Sequence, residues 1–219
     1  MTDRKVNKGE DASSVSTSLL DRIKLRDPAA WARMVDLFTP LVYGWCRMAR
    51  LQKADAAEVG QEVFKAVYRS VGRFRRDRPG DTFGGWLRTI TQNKLRDFIK
   101  RKRARVDDPI GGSKAKHELQ QIPSEEDVET AVAPRPNEHE ALSQRAILMI
   151  RNEFNDRDWQ AFWRVTVDLQ ATSDVARDLN MTLNMVYLAK SRILARFRAE
   201  FAELLEETRN PKSEIPNPN

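Results

Sequence analysis

The chain has 219 residues, of which 40% are hydrophobic and 32% are charged, and its formal net charge at pH 7 is +6. This length can hold one large domain or two small ones, and no apolar run approaches the ~20 residues of a membrane span. We therefore predict no membrane insertion. A single cysteine, Cys46, excludes an intramolecular disulfide and is typical of a cytoplasmic protein. The sequence pI of about 9.6 suggests a polyanionic partner.

Helix signals dominate the first half of the chain. An aspartate followed by proline at Asp27-Pro28 is a strong helix start, and Thr39-Pro40 repeats the signal. Apolar residues at helical spacing mark two more helices, over residues 54–71 and 83–104. We predict a four-helix bundle over residues 18–105.

Positive charge is concentrated in one part of this predicted bundle. Between residues 69 and 105, 13 Lys and Arg oppose three Asp, which gives +10, whereas the remainder of the chain sums to −4. Cations beside aromatic side chains suit a surface that tracks phosphates and stacks bases. Trp86 lies on the apolar stripe, so we interpret it as part of the core. Asn93 is the better candidate for a polar contact with DNA.

Composition changes after Arg105. Prolines and glycines interrupt any periodicity over residues 106–137, where seven acidic residues outnumber the bases, and we predict an acidic flexible linker there. A second helical domain is predicted over residues 138–207. Residues 1–17 and 208–219 are interpreted as disordered tails, and the first lacks the apolar core of a signal peptide.

The second domain contains the pattern of a helix-turn-helix. Ala176 is small where two helices must approach, and Asn180 tolerates the positive φ of the turn. Thr182 is the predicted cap of the next helix, and Val186 can fill the core between the helices. Ser173 or Asp174 is the predicted cap of the first helix. The second helix is predicted to run to about residue 206, with a polar and basic face that can contact a DNA groove. A helix-turn-helix that binds only protein is the alternative.

Three motifs resemble RNA polymerase sigma factors of the extracytoplasmic-function (ECF) subfamily. DAAEVGQEVF at residues 55–64 resembles region 2.2 of that family. FGGWLRTITQN at residues 83–93, with Asp97 and the KRKR run at 100–103, resembles regions 2.3 and 2.4. TLNMVYLAKSR at residues 182–192 resembles region 4.2. The resemblance covers about residues 19–104 and 139–206.

Three positions depart from the family patterns. Gly60 replaces a usual aliphatic residue, and Asn184 and Tyr187 stand where glycine and a basic residue are common. The last two departures bear on promoter sequence more than on function.

The resemblance implies an all-α protein with two small helical domains, region 2 and region 4, joined by the linker. It implies that core RNA polymerase and promoter DNA are partners, with an anti-sigma factor as a further candidate, and that the linker threads toward the polymerase channel. No cofactor, metal or catalytic residue is predicted, because the GxxxxGK, CxxC and HExxH patterns are absent from the sequence.

The resemblance also assigns candidate site residues. An acidic and amide face is expected to bind core polymerase: Asp55, Glu58, Gln61 and Glu62. Mostly cationic residues are expected to bind the −10 element: Arg73, Arg75, Arg76, Arg78, Asn93, Lys94, Arg96, Lys100, Arg101 and Arg103. The recognition helix is expected to read the −35 element through Thr182, Asn184, Tyr187, Lys190, Ser191 and Arg192.

Other interpretations of the same residues remain open. The acidic face and the cationic clusters could be ordinary solvated helix faces. A helix-turn-helix regulator that is not a polymerase subunit would explain residues 173–198 alone. A recombinase would need a nucleophilic Ser or Tyr among arginines, and none stands out in the sequence.

Overall fold

The computed structural model describes residues 18–78, 80–106 and 122–205. Within these ranges the chain is helical and contains no strand, which confirms the all-α class. The helices are α1 (Leu19–Lys24), α2 (Pro28–Met48), α3 (Lys53–Ser70), α4 (Phe83–Val106), α5 (Glu125–Val132), α6 (Glu138–Met149), α7 (Asp156–Thr166), α8 (Thr172–Asp178) and α9 (Leu183–Leu205), with short 3₁₀ turns at Val71–Arg73 and Arg151–Glu153.

Some predictions fall outside these ranges. Both predicted tails and residues 107–121 of the predicted linker lie outside the described residues. Among the helices that are described, none is long and apolar enough to cross a membrane.

The predicted helix start at Asp27-Pro28 is confirmed. The Asp27 carboxylate accepts hydrogen bonds from the amides of Ala29 at 2.8 Å and Ala30 at 3.2 Å, and Pro28 opens α2. Arg22 donates to the same carboxylate at 2.8 Å. This hydrogen bond, with those from the two amides, holds the pKa of Asp27 below its usual value.

The second predicted helix start, at Thr39-Pro40, is wrong because α2 continues unbroken from Pro28 to Met48. A proline inside a helix has no N–H, so the carbonyl of Asp36 loses its normal donor. Arg145 of α6 supplies a replacement, since its Nε donates to that carbonyl at 2.9 Å. The helix therefore passes through Pro40 with a donor from a distant part of the chain.

The prediction of a flexible linker is wrong for residues 125–132, which form α5. Ser124 and Asp127 form a capping box at its start, and prolines flank the helix at positions 123 and 134 instead of interrupting it. The side chains of Val128 and Ala131 are buried in the common core, where α5 packs against α2 and α4. Apolar burial of one face fixes this acidic segment on α2 and α4.

One cluster of buried side chains extends across both predicted domains. Phe201 and Leu204 of α9 belong to the same core as Phe38 of α2 and Leu87 of α4, and α9 contacts both α1 and α4. A smaller second cluster, which includes Val186, lies between α7, α8 and the first part of α9. The long helix α9 is thus shared between the two cores.

A buried carboxylate lies where α9 meets α2. Glu200 is only 2% exposed, and its Oε1 lies 2.9 Å from Arg33 Nε in an ion-pair contact. Arg196 also contacts Glu200, and Arg33 donates to the carbonyl of Met149 at 3.1 Å. Since an uncompensated buried charge is costly, these contacts specify where α9 can pack.

We predict that Arg33→Met lowers the free energy of unfolding by about 3 kcal/mol, because Glu200 stays buried with only part of its neutralising charge. Urea-induced unfolding followed by circular dichroism measures the change. The double variant Arg33→Met, Glu200→Leu should recover most of the loss, since no unpaired carboxylate remains. Lys53→Met, an exposed control, should stay within about 0.5 kcal/mol. Equal losses in the single and double variants would contradict this account.

Candidate nucleic-acid interface

The predicted polymerase-binding residues lie together on the outer side of α3. Val59 and Val63 face the core, while Glu58 and Gln61 are exposed. The other two carboxylates of this set already have partners: Asp55 accepts from Lys102 of α4 at 2.6 Å. Glu62 accepts from Lys65 at 2.8 Å.

Because Asp55 and Glu62 already have intramolecular partners, fewer groups of this face are free to bind another molecule. The hydrogen bond from Lys65 is the largest cause of a lowered pKa at Glu62. Glu58 is exposed and, within the described ranges, has no cation within ion-pairing distance. Glu58 and Gln61 are therefore the groups of this face that are most available to another molecule.

The cationic end of α4 projects beyond its buried stripe. Leu87 and Leu95 are fully buried, whereas Asn93, Lys100 and Arg101 are exposed. The Arg101 Nε donates only to the carbonyl of Asp97, at 3.4 Å. In the part of the chain that the structure describes, neither Lys100 nor Arg101 pairs with a carboxylate.

The segment between α3 and α4 carries the second group of predicted −10 residues. Arg73, Arg75 and Arg78 are exposed there, and Arg76 is half-buried. With the start of α4, this segment forms an open cleft of about 460 Å³ that Arg73, Arg75 and Trp86 help to line.

Trp86 contributes to both the core and this cleft. Its ring packs 5.0 Å from that of Phe74 and 5.5 Å from that of Phe83, measured between centroids, which confirms its packing against the core. Part of the ring remains accessible and lines the cleft. An aromatic surface therefore lies beside arginines, as base stacking beside phosphates requires.

Two of the predicted DNA-binding cations form hydrogen bonds with α5 or with the residues just before it. Arg96 donates to Glu129 at 2.9 Å, and Glu125 lies 3.9 Å from it. Arg103 donates to the carbonyl of Pro123, just before α5, at 3.0 Å. Lys94 is paired within α4, 3.5 Å from Asp97.

Acidic residues of α5 lie beside predicted DNA-binding cations, and the sequence did not predict this position for them. The capping-box pattern from Ser124 to Asp127 was the available signal that a helix, and not a tether, begins there. That local pattern does not show which helices α5 packs against, which are α2 and α4.

The predicted helix-turn-helix geometry is confirmed at Asn180, Thr182 and Val186. Asn180 has a φ of 51°, Thr182 Oγ1 accepts from the amide of Met185 at 3.2 Å, and Val186 is fully buried. The predicted cap at Ser173 or Asp174 is wrong, since Ala171 precedes a helix that begins at Thr172. These features place the first turns of α9 at the surface.

The predicted −35 residues are not equally available on α9. Thr182, Asn184, Tyr187 and Ser191 are exposed, and Lys190 is half-buried.

Arg192 is exposed, but its guanidinium donates to Asp158 of α7 at 2.8 Å. The Asp158 side chain is only 13% exposed, so Arg192 is anchored against α7.

Comparisons with known proteins agree with this arrangement. Residues 34–105 match the model of the sigma-70 region 2 family, a span that contains the α3 face, the cleft and the cationic end of α4. Over 112 residues the chain is 28% identical to the ECF RNA polymerase sigma factor BldN of Streptomyces coelicolor, which covers 51% of this chain and 42% of that relative. The chain thus matches less than half the length of this relative. Residues 34–105 are thus similar to sigma-70 region 2, and about half of the chain is similar to an ECF RNA polymerase sigma factor.

Proposed function

We propose that this protein binds core RNA polymerase and directs it to promoters, where it helps to open the −10 element. One observation carries the proposal: an acidic face on α3 and a cationic face on α4 occur together in a matched region 2 domain. The two helices pack against each other, and Lys102 and Asp55 connect their faces at 2.6 Å. A polymerase-binding surface and a DNA-binding surface can therefore act as one rigid unit.

The polymerase contact is proposed to centre on Glu58 and Gln61. An exposed carboxylate beside an exposed amide suits a basic coiled-coil partner, and family resemblance suggests the clamp helices of the largest polymerase subunit. Asp55 and Glu62 would contribute less, because each must first give up an intramolecular partner.

The −10 contact is proposed to combine phosphate binding with capture of an extruded base. Lys100 and Arg101 are available to bind the DNA phosphate backbone. The cleft beside Trp86 provides an aromatic surface flanked by Arg73 and Arg75. Stacking on aromatic side chains contributes about 1–3 kcal/mol per base. This is comparable with the ~1.4 kcal/mol mean stacking lost per base-pair step. Opening would then need no nucleotide hydrolysis.

Helix α9 is proposed to bind the −35 element in the major groove. Its first turns are exposed beyond the turn at Asn180, and its second half remains packed in the common core through Phe201. DNA can therefore reach the recognition face without separation of the two domains. An anti-sigma factor remains a proposed further partner.

Run-off transcription tests the proposal with purified core polymerase, this protein and a library of genomic fragments. Promoter-specific transcripts that need both components are expected. If the protein instead binds duplex sites by itself and never changes which transcripts the polymerase makes, it is a helix-turn-helix regulator. The absence of any specific transcript, with active core and folded protein, would contradict the proposal.

We predict that Glu58→Lys weakens binding to core polymerase at least tenfold, a change of about 1.4 kcal/mol. A solvent-facing reversal places like charge opposite a basic partner while leaving the helix core intact. Asp55→Asn should have a smaller effect, because that carboxylate is engaged by Lys102. Equilibrium binding to immobilised core measures both. Glu140→Lys, an exposed reversal on α6, is the control. An effect of Glu58→Lys no larger than the control's would remove Glu58 from the interface.

Removing an unpaired cation of α4 should change the salt dependence of promoter binding more than removing a cation that is already paired with a carboxylate. Lys100→Ala and Arg101→Ala should each reduce the magnitude of the log–log salt slope of promoter-complex formation by about 0.7–0.9. Arg96→Ala should change it less, because Glu129 already neutralises that guanidinium. Filter binding over a range of salt concentrations gives the slopes. An Arg96→Ala change as large as that of Arg101→Ala would show that α5 does not hold Arg96 in the complex.

A further inference from the structure

The outward face of α9 in its first two turns is neutral. Tyr187 and Leu188 lie three and four residues after Asn184, and Ser191 lies three residues after Leu188, so the four share one helix face. All four are exposed. On the opposite side Val186 and the residues at 189 and 193 are buried. The exposed stripe therefore presents one amide, one phenol, one hydroxyl and one aliphatic side chain.

Large apolar groups are unusually exposed on and beside this stripe. Tyr187 is 57% exposed, Leu188 is 51% exposed and Leu183 is 50% exposed. No Lys or Arg occurs between Arg177 and Lys190, and Arg192 is held by Asp158. The first two turns of α9, residues 183–189, thus carry no guanidinium or ammonium group, and the half-buried Lys190 follows them.

The surrounding domain provides little general attraction to phosphates. Residues 138–205 contain nine Lys and Arg against ten Asp and Glu. In the first helix of the motif, Arg177 is itself paired with Asp174 at 2.8 Å. Discrimination by this domain must therefore depend on contacts with base edges more than on charge.

The chemistry of the stripe favours one class of base pair. A guanidinium or ammonium group is the usual partner of guanine O6 and N7, an amide pairs with adenine N6 and N7, and apolar groups contact the thymine methyl. The stripe has an amide and apolar groups but no guanidinium or ammonium group. The α-carbons of residues 184 and 188 are about 6 Å apart along the helix axis. This distance is close to the length of two base-pair steps, each of which rises about 3.4 Å.

We propose that the −35 element of this protein is rich in A·T pairs. Asn184 contacts an adenine, and Tyr187 and Leu188 contact thymine methyl groups about two steps away. This inference rests on the proposed function and specifies the DNA sequence class that the same helix recognises.

An exposed apolar stripe would also suit a protein partner, but two observations favour DNA. The stripe is built on a confirmed helix-turn-helix, with Asn180 at φ 51° and Thr182 capping the helix. Polar groups, Asn184 and Ser191, also stand at both of its ends, with hydrogen-bonding capacity that base edges can satisfy.

The experiment uses the full chain with core polymerase. Binding-site selection from a duplex library randomised upstream of a fixed −10 element should yield an A·T-rich −35 element. Affinity is then measured on the selected site with single thymines replaced by deoxyuridine, which removes only the methyl group. Each contacted methyl should contribute about threefold to fourfold in affinity.

Variants connect each base to a side chain. Leu188→Ala should weaken binding to the thymine site and abolish its sensitivity to one deoxyuridine replacement. Asn184→Ala should do the same for replacement of one adenine by 7-deaza-adenine. Leu169→Ala is the matched control, because this leucine is 82% exposed but lies outside α9; it should change neither sensitivity.

The outcomes separate this inference from the proposed function. Selection of a G·C-rich element, or equal affinity for thymine and deoxyuridine sites, overturns the inference while promoter-specific transcription can still stand. If Leu188→Ala leaves DNA binding unchanged and weakens binding to core polymerase, the stripe is a protein-docking surface and the inference is also overturned. Failure of transcription from every promoter would instead count against the proposed function.

Discussion

The buried carboxylate of Glu200 constrains the arrangement of the whole chain. A charge that is 2% exposed must be compensated, and the compensation comes from Arg33 of α2 and Arg196 of α9 itself. Helix α9 can therefore pack against the first helices only in a register that brings these groups together. Because its 23 residues extend for about 35 Å, this contact at one end also orients the helix-turn-helix at the other end.

The two proposed DNA-binding surfaces differ in the physical interactions that they offer. On α4, cations such as Lys100 and Arg101 are exposed, so affinity there should be largely electrostatic and sensitive to salt. On α9 the exposed stripe is neutral, so the proposed selectivity there would come from shape and from hydrogen bonds to bases. Such a division would allow one surface to hold the phosphate backbone while the other discriminates among sequences.

Local signals in the sequence predicted local structure well. Asp27 and Pro28 specified the start of α2, and Asn180, Thr182 and Val186 specified the helix-turn-helix, because each acts through neighbours a few residues away. Four candidates on α3 were also correctly placed on one side of a helix. Their proposed roles remain predictions.

Features that depend on distant partners were not predictable in this way. The helix continues through Pro40 because Arg145, 105 positions later, donates to the freed carbonyl. The sequence around Arg192 predicts a free base-reading group, but Asp158 of α7, 34 positions earlier, accepts a hydrogen bond from its guanidinium. In α5, frequent acidic residues suggested solvation, whereas Val128 and Ala131 form a buried face too short to give a clear period. Composition over a window cannot show which side of a two-turn helix is buried.

Two kinds of interaction hold α5 on the other helices, and they differ in strength. Ion pairs at the surface, such as Arg96 with Glu129, contribute at most about 1 kcal/mol each. Burial of a valine side chain contributes about 1.5–3 kcal/mol, and α5 buries both Val128 and Val132. Apolar burial thus outweighs the ion pairs. We therefore expect α5 to stay docked on α2 and α4, with Glu129 beside Arg96, when α4 binds DNA as proposed. Its acidic residues would then lie near the DNA and limit how tightly the phosphate backbone is held.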